Sequence, residues 1–499
     1  MSNKKNKAQR PPKRMKARRP RGFEDKSSDV LRAETRLIEA AFSVYDANGF
    51  EPLQTPAFEY ADALGKFLPD DDRPNTGVFA VRDDDEQWMA LRYDHTAPLA
   101  RYVAENYNDL PKPYRRYQAG SVWRNEKPGP GRFREFIQCD ADSVGAPGAA
   151  ADAEMIMMAA DVMSAVGLKR EQYMVRANNR KLLDGILESC GVPNTDRGAA
   201  QRLQVLRSID KLDRLGADGV AALLGAGRKD DSGAYTEGAK LDTSAIKAVL
   251  GFTTASDTDR DDTLRTLEAL MGTSSQGQAG VDELKLIDDI LSACDYGPDR
   301  VVFDTSIVRG LGYYTGPVFE AELLANIKDR KGRPVRIGSV GGGGRYDGLV
   351  SRFMGQAVPA TGYSFGVSRF AAALSRMGLV EHADQPPVMI CVFDKSLMGE
   401  YFKIAAALRA ANIRAEVFVG NGNVGKQLKY ADNRGVKLAI LIGSDEMQRG
   451  EATIKDLELG AEMAKAIKTN EEWKSSRPAQ KTAARSDIVA AVREMLEGD

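Results

Sequence analysis

The stretch from Tyr114 to Gly145 constrains the fold more than any other part of the chain, because it alternates with period 2 along two arms joined by the turn sequence KPGPGR. On the first arm Val122, Arg124 and Glu126 share one face. On the second, Arg134, Phe136, Gln138, Asp140 and Asp142 do. The pattern predicts a long antiparallel hairpin with arginine, glutamate, glutamine and aspartate gathered on one side. Such a face is costly beneath protein, since every buried polar group then needs a partner. It suits a highly polar small molecule lying on the sheet.

A second segment, VRGLGYYTGPVFEAEL from Val308 to Leu323, points the same way. Val318, Glu320 and Glu322 alternate with Phe319, Ala321 and Leu323, which predicts a half-buried strand, and Ser306 to Arg309 reads as another short strand before it. Gly310, Gly312 and Gly316 allow a tight turn or close approach to a ligand. Tyr313 and Tyr314, if extended, point to opposite faces. Taken alone, the segment fits equally a hairpin with a solvated arginine and core tyrosines.

Elsewhere, Leu31, Ile38, Phe42 and Tyr45 recur at helical spacing up to Gly49, so Ser27 to Asn48 is predicted to be an amphipathic helix. It runs into GFEPLQTPAFEY, whose Pro52 and Pro56 favour an edge strand. From about 195 to 290 the pattern turns helical and reads as an insertion that splits the strand-rich part. After the linker EHADQPP, strands near Val388–Phe393, Ala415–Val419 and Leu438–Ile442 alternate with helices near Phe402–Ala411 and Lys426–Asp432, a small separate α/β domain.

With 499 residues, two or three domains are expected. No run approaches the roughly 20 apolar residues of a membrane span. Cys139, Cys190, Cys294 and Cys391 lie far apart without a CxxC pair, which points to a reducing cytoplasm and no zinc site. The two histidines, His95 and His382, nearly exclude a Ser-His-Asp triad or a poly-histidine metal site. Catalysis would then rest on arginines, carboxylates, tyrosines and a bound metal. Residues 1–22 are rich in Lys and Arg without one acid and are expected to be disordered. They lack the apolar region of a secretory signal; a non-specific grip on RNA and a solubilising role both fit.

Placed together, these pieces resemble a class II aminoacyl-tRNA synthetase, and within that class the histidyl-tRNA synthetases. The likeness covers nearly everything from Phe23 onward. The first helix with GFEPLQTPAFEY is similar to motif 1, SVWRNEKPGPGRFREFIQCDADSVG to motif 2, and GYSFGVSRF to motif 3; the Val308–Leu323 segment and GGGGRYDGL resemble the signature of this one synthetase. The resemblance implies an α+β fold. An antiparallel class II sheet flanked by helices would occupy 23–384, with the helical insertion inside it and a C-terminal α/β anticodon-binding domain at 385–499.

It also implies roles. Arg124 and Arg309 would be the catalytic cations on the α-phosphate of ATP. Arg369 would lie near the γ-phosphate, Glu126 at adenine and Arg132 on the phosphates. Arginine suits all of these through its bidentate geometry. Asp94, Thr96 and Gln138 match positions that hold the α-amino end of histidine, Asp142 and Tyr314 those that read its ring, and Tyr313 lines the same pocket. His95 is read as a packing residue and His382 as solvated. Lys426, Lys429 and Lys455 are candidate RNA phosphate contacts. The implied reaction joins histidine to tRNA(His) through an adenylate, with Mg²⁺ on the phosphates and no metal site of the protein's own, in a cytoplasmic homodimer with its two-fold at motif 1. Rival readings are the regulatory paralogue of histidine biosynthesis, which generally lacks the final domain and erodes the ATP arginines, and a synthetase-like RNA sensor expected to lose Arg309 or Arg369. Two departures stand out: Gly312 replaces an aspartate common among relatives, and the KPGPGR turn is poor in side chains that read a tRNA acceptor end.

Overall fold

The computed structural model of the chain describes residues 15–64, 77–129, 132–229, 233–308, 313–324, 327–328, 334–335, 338–379, 387–466 and 479–497. The chain divides into two compact units, residues 1–381 and 382–499.

In the first unit, helix α1 (Ser28–Ala47) is followed by β1 (Glu51–Pro52), α2 (Thr96–Glu105), the hairpin of β2 (Tyr114–Trp123) and β3 (Glu135–Val144), and α3 (Ala149–Ala165). Next come β4 (Tyr173–Asn179), α4 (Ser275–Ala293), β5 (Val301–Phe303), β6 (Pro317–Leu323), β7 (Gly338–Arg345), β8 (Ala360–Gly366) and α5 (Val367–Arg376). The strands form one eight-stranded sheet in the order β1-β2-β3-β8-β7-β6-β4-β5. Its interior ladders are antiparallel, while β1 and β5 join its two edges in parallel. The proline-bearing segment after α1 is thus an edge strand, where a missing N–H does least harm.

One face of this sheet is apolar. Cys139, Ala141, Phe319, Ala321, Tyr363 and Phe365 are buried there in one cluster with Leu37, Ala41 and Tyr45 of α1, with α3 and with Phe370 of α5. The buried α1 residues 33, 37, 41 and 45 recur every fourth position, so a single stripe docks the helix. Helix α3 is mostly apolar and buried along most of its length, as a helix between a sheet and other helices must be, and its Asp152, Glu154 and Asp161 are each paired with an arginine. Each fully buried large side chain contributes about 1.5–3 kcal/mol, so this face anchors the polar one above it.

Two expectations need correcting. The strand preceding the tyrosines is β5 at Val301–Phe303; Ser306 lies in a turn, and Ile307 and Val308 are in neither strand nor helix. Strand β6 is buried on both faces rather than one. Its second face is covered because Glu322 finds a cation, accepting from Arg176 Nε at 2.8 Å. The helices between β4 and β5, from Asp196 to Ala293, enclose a small hairpin, Gly227–Lys229 with Tyr235–Glu237, that periodicity did not reveal. Their buried Leu206, Val220, Phe252, Leu267 and Leu284 belong to the same cluster as the main sheet, so the insertion shares its core.

The second unit has β9 (Val388–Val392), α6 (Met398–Ala410), β10 (Ala415–Val417), α7 (Val424–Asn433), β11 (Leu438–Ile442), β12 (Glu451–Asp456), β13 (Gln480–Ala484) and α8 (Ile488–Glu497). The sheet order is β10-β9-β11-β12-β13. Its first three strands, in chain order β9, β10, β11, are parallel and the rest antiparallel. Buried Gln427 of α7 accepts from Val392 N–H at 2.8 Å and donates to Val392 O at 2.7 Å, satisfying backbone groups at the end of β9. Lys426 and Lys429 are exposed on α7, and Lys455 is half-buried on β12.

Candidate active site

Residues directly opposite in an antiparallel ladder share a face, so the registers define the polar side of the sheet. Arg116, Gln118, Gly120 and Val122 of β2 stand opposite Asp142, Asp140, Gln138 and Phe136 of β3. Next on the same face come Gly362, Ser364 and Gly366 of β8, then Gly344 and Gly342 of β7, then Val318 and Glu320 of β6. A bank of charged and amide side chains therefore borders a floor of glycine and serine. At Gly362 a side chain is excluded outright: its Cβ would lie 2.1 Å from Asp142 Oδ1.

The bank is tightly bonded. Arg116, 0% exposed, pairs with Asp142 at 2.8 Å and donates to the His95 carbonyl at 3.0 Å. Tyr346 donates its hydroxyl to the other Asp142 oxygen. Gln138 Nε2 donates to Ser364 Oγ at 2.9 Å, and Ser364 in turn donates to Asp140 at 2.5 Å. That relay fixes the amide orientation. It leaves Gln138 Oε1 buried without a partner among the described residues.

Above the bank, the start of α2 supplies Asp94 and Thr96. Asp94 accepts the backbone N–H groups of Thr96 and Ala97 at 3.1 and 3.0 Å. The Tyr313 ring meets Tyr314 edge-on at 5.1 Å and Tyr346 at 5.6 Å. Burial raises the pKa of Asp94, with the Ala97 N–H and Arg124 opposing. It raises Asp142 as well, against Arg116 and Tyr346. Asp140 is pushed up to about 7 by burial, with Arg116 opposing and Asp142 reinforcing. Tyr313 is raised well above its ordinary value by burial and the carboxylates around it. Carboxylates so crowded and dry call for a cation that a ligand would bring.

Toward the hairpin turn the chemistry reverses sign. Arg124 is half-buried, donates Nε to Tyr93 O at 3.3 Å and sits 5.1 Å from the Phe136 ring centre. Glu126 and Arg132 pair at 3.0 Å across the exposed turn. Arg369 lies in the first turn of α5, three residues beyond Gly366, the register partner of Gln138. Asp94, Thr96, Gln138, Asp142, Tyr313 and Tyr314 thus gather at the bank, and Arg124, Glu126 and Arg132 lie toward the turn. Arg309, Gly312 and His382 lie outside the described residues.

Sequence reasoning missed Arg116, Ser364 and Tyr346. The even-number parity that selected Gln138 to Asp142 also runs through Arg116 on the facing strand, and that was the available signal. His95 is fully buried, with Nε2 donating to Gly120 O at 3.3 Å. Burial, then Arg92 and Arg116, push its pKa down to about 3, so it packs as a neutral ring.

An antiparallel sheet backed by helices, carrying motif 2 as its β2–β3 hairpin and motif 3 as the β8–α5 junction, defines a class II aminoacyl-tRNA synthetase. The family model for histidyl-tRNA synthetase matches residues 22–370, and that for the anticodon-binding domain matches residues 387–477. The chain belongs to the histidyl-tRNA synthetase family. It is 55% identical over 493 residues to a histidine–tRNA ligase of Bradyrhizobium diazoefficiens, covering 97% of each chain. To that of Caulobacter vibrioides it is 54% identical over 487 residues, covering 97% of this chain and 98% of the relative. The crystal structure of a histidyl-tRNA synthetase from Nostoc superposes with a TM-score of 0.73 at 27% identity, over 97% of this chain and 100% of that one.

Proposed function

We propose that this histidine–tRNA ligase holds histidine on the Asp94–Gln138–Asp142 bank and ATP along the arginines toward the hairpin turn, forms histidyl-adenylate between them, and passes the histidyl group to the terminal ribose of tRNA(His). The observation that carries this reading is the buried Gln138 Oε1, without a partner among the described residues, beside raised-pKa carboxylates. An acceptor left unmet costs about 1–3 kcal/mol, and the α-ammonium of histidine supplies the missing donor while neutralising Asp94. Asp142 retains lone pairs beyond its ion pair with Arg116 and its hydrogen bond from Tyr346 for a ring N–H, beside the Tyr313 and Tyr314 rings. A pocket built to pair two ring nitrogens rejects mimics that leave its own groups unpaired.

In the first step a carboxylate oxygen of histidine bonds to the α-phosphorus and pyrophosphate leaves. Arg124, with Arg309 by family likeness, holds the charge on the α-phosphate, which favours the transition state over the ground state. Arg369 and Arg132 would hold the outer phosphates and Glu126 the adenine. In the second step the ribose hydroxyl attacks the histidyl carbonyl, AMP departs, and a substrate phosphate oxygen takes the proton. ATP enters as its magnesium complex. Mg²⁺ prefers phosphate oxygens and water with one or two carboxylates, and among the described residues no cluster of three metal-binding side chains competes for it.

We place the two-fold of a homodimer at α1 and the three-stranded sheet of Phe58–Tyr60, Trp88–Leu91 and Ala80–Arg82, where Leu31, Phe58 and Tyr60 are 48%, 42% and 55% exposed. Four free cysteines fit a reducing cytoplasm; among the described residues no helix is long and apolar enough to cross a membrane. The test is charging of tRNA(His) with labelled histidine by the wild type and by Arg309→Ala. Charging that survives the substitution within about threefold would remove Arg309 from the chemistry, since loss of a transition-state donor costs about 10²–10³ in rate.

A further inference from the structure

The first described residues run onto the same hairpin that carries Arg124, Glu126 and Arg132. Gly22 accepts a hydrogen bond from Arg134 N–H at 2.8 Å. At φ +85° it fits so closely that a Cβ would lie 2.9 Å from the Arg134 side chain and 3.2 Å from Pro128. Phe23 packs on Phe79 with ring centres 5.9 Å apart, and Arg134 lies 5.8 Å from the centre of that same ring. Three residues later Lys26 pairs with buried Glu34 of α1 at 2.8 Å and donates to Ser368 at 3.2 Å, beside Arg369. Residues 22–26 are therefore a strap fixed at both ends, to the motif 2 hairpin and to the α1–α5 contact.

On the outer side of that anchor stand Lys16, Arg18, Arg19 and Arg21, all exposed. Among the described residues Arg19 alone of the four has a carboxylate within reach, Asp25 at 3.7 Å, in a pair so exposed that it holds weakly. Four cations without firm internal partners, held by a half-buried aromatic anchor, form a surface for a polyanion. The ligase reading, on which this inference rests, says which one. The terminal ribose must enter the pocket, so the acceptor arm crosses the rim of this hairpin, and seven residues from 15 to 21 reach about 24 Å when extended.

We infer that the strap binds backbone phosphates of the tRNA acceptor arm. It positions the substrate without reading its sequence, as lysine and arginine contacts to phosphates do. This gives the chain a grip that its arginine-poor KPGPGR turn does not supply.

The test uses the full-length chain with Lys16→Ala, Arg18→Ala, Arg19→Ala and Arg21→Ala combined. Histidine-dependent pyrophosphate exchange needs no tRNA and is expected to stay within about twofold of wild type. The KM for tRNA(His) in aminoacylation is expected to rise about tenfold or more at about 50 mM salt. The slope of log KM against log salt should fall by about 3, because each of the four neutralised phosphates contributes about 0.7–0.9. An unchanged tRNA KM with an unchanged slope would overturn the inference and leave the strap a solubilising segment. Loss of exchange in the variant would overturn it too, by moving these cations to ATP or to the fold. Exchange by the wild type tests the ligase reading separately, so the two failures are distinguishable.

Discussion

Replacing Arg116 by methionine probes the site from beneath. The substitution keeps an apolar stem in a fully buried position but removes the guanidinium that pairs with Asp142 at 2.8 Å. Breaking a buried pair by removing one partner costs about 3–5 kcal/mol while the other stays charged. Asp142 escapes that cost by taking a proton, because burial already raises its pKa and Arg116 is the principal group opposing the rise. Keeping a carboxyl of ordinary pKa protonated at neutral pH amounts to about three pH units, or about 4 kcal/mol, which caps the penalty. A protonated Asp142 offers one acceptor fewer to the imidazole. In pyrophosphate exchange the histidine KM of Arg116→Met should rise about 10²–10³-fold near pH 7, while the ATP KM stays within about threefold. The sign of the pH dependence follows: a raised carboxyl pKa means more ionised Asp142 at higher pH, so the defect relative to wild type should shrink toward about pH 9. An unchanged histidine KM, or a defect that grows with pH, would refute the reasoning.

Three further outcomes follow. Gly362→Ala drives a Cβ into Asp142 Oδ1, so histidine KM should rise at least about tenfold, with thermal stability falling by the 1–3 kcal/mol typical of overpacking; calorimetry and exchange kinetics check both. Asp140 titrates near 7 when folded against about 3.8 unfolded, so its ionisation lowers apo stability as pH rises through that window. Urea unfolding should therefore show Asp140→Asn gaining on wild type between about pH 4 and 7, by at most about 4 kcal/mol, and a constant difference would deny the shift. Leu31→Glu should break the proposed homodimer to monomer in light scattering; a dimer that persists in the variant would place the two-fold elsewhere.

Much of the sheet's polar face was legible because strands write their faces into the sequence. The period-2 run Gln138, Asp140, Asp142 named one bank of that face, and matched motif positions proposed Arg124 and Arg369 for ATP. Arg116 shared that parity, but its role did not show, since it depends on Asp142, twenty-six residues on, and a fully buried arginine runs against type. Strand β6 was read as half-exposed for a related reason: glutamates at alternate positions look solvated until Arg176 of β4 covers Glu322. The GGGGR segment carried a family signature but not its geometry, in which Gly342 and Gly344 face the pocket while Gly341 and Gly343 lie against Tyr363 and Phe319. The insertion's helices were visible from spacing. Their shared core with the main sheet was not, because periodicity shows that a face is buried and not what buries it.

The most direct test of the account is histidine-dependent exchange of labelled pyrophosphate into ATP by wild type and Asp142→Asn, assayed with histidine and with other amino acids. Wild type should exchange with histidine alone. The variant should need about 10–100-fold more histidine at a near-normal ATP KM, the cost of one charge-assisted hydrogen bond. A variant with the histidine KM of wild type, or a wild type that binds histidine and exchanges with no amino acid, would contradict it.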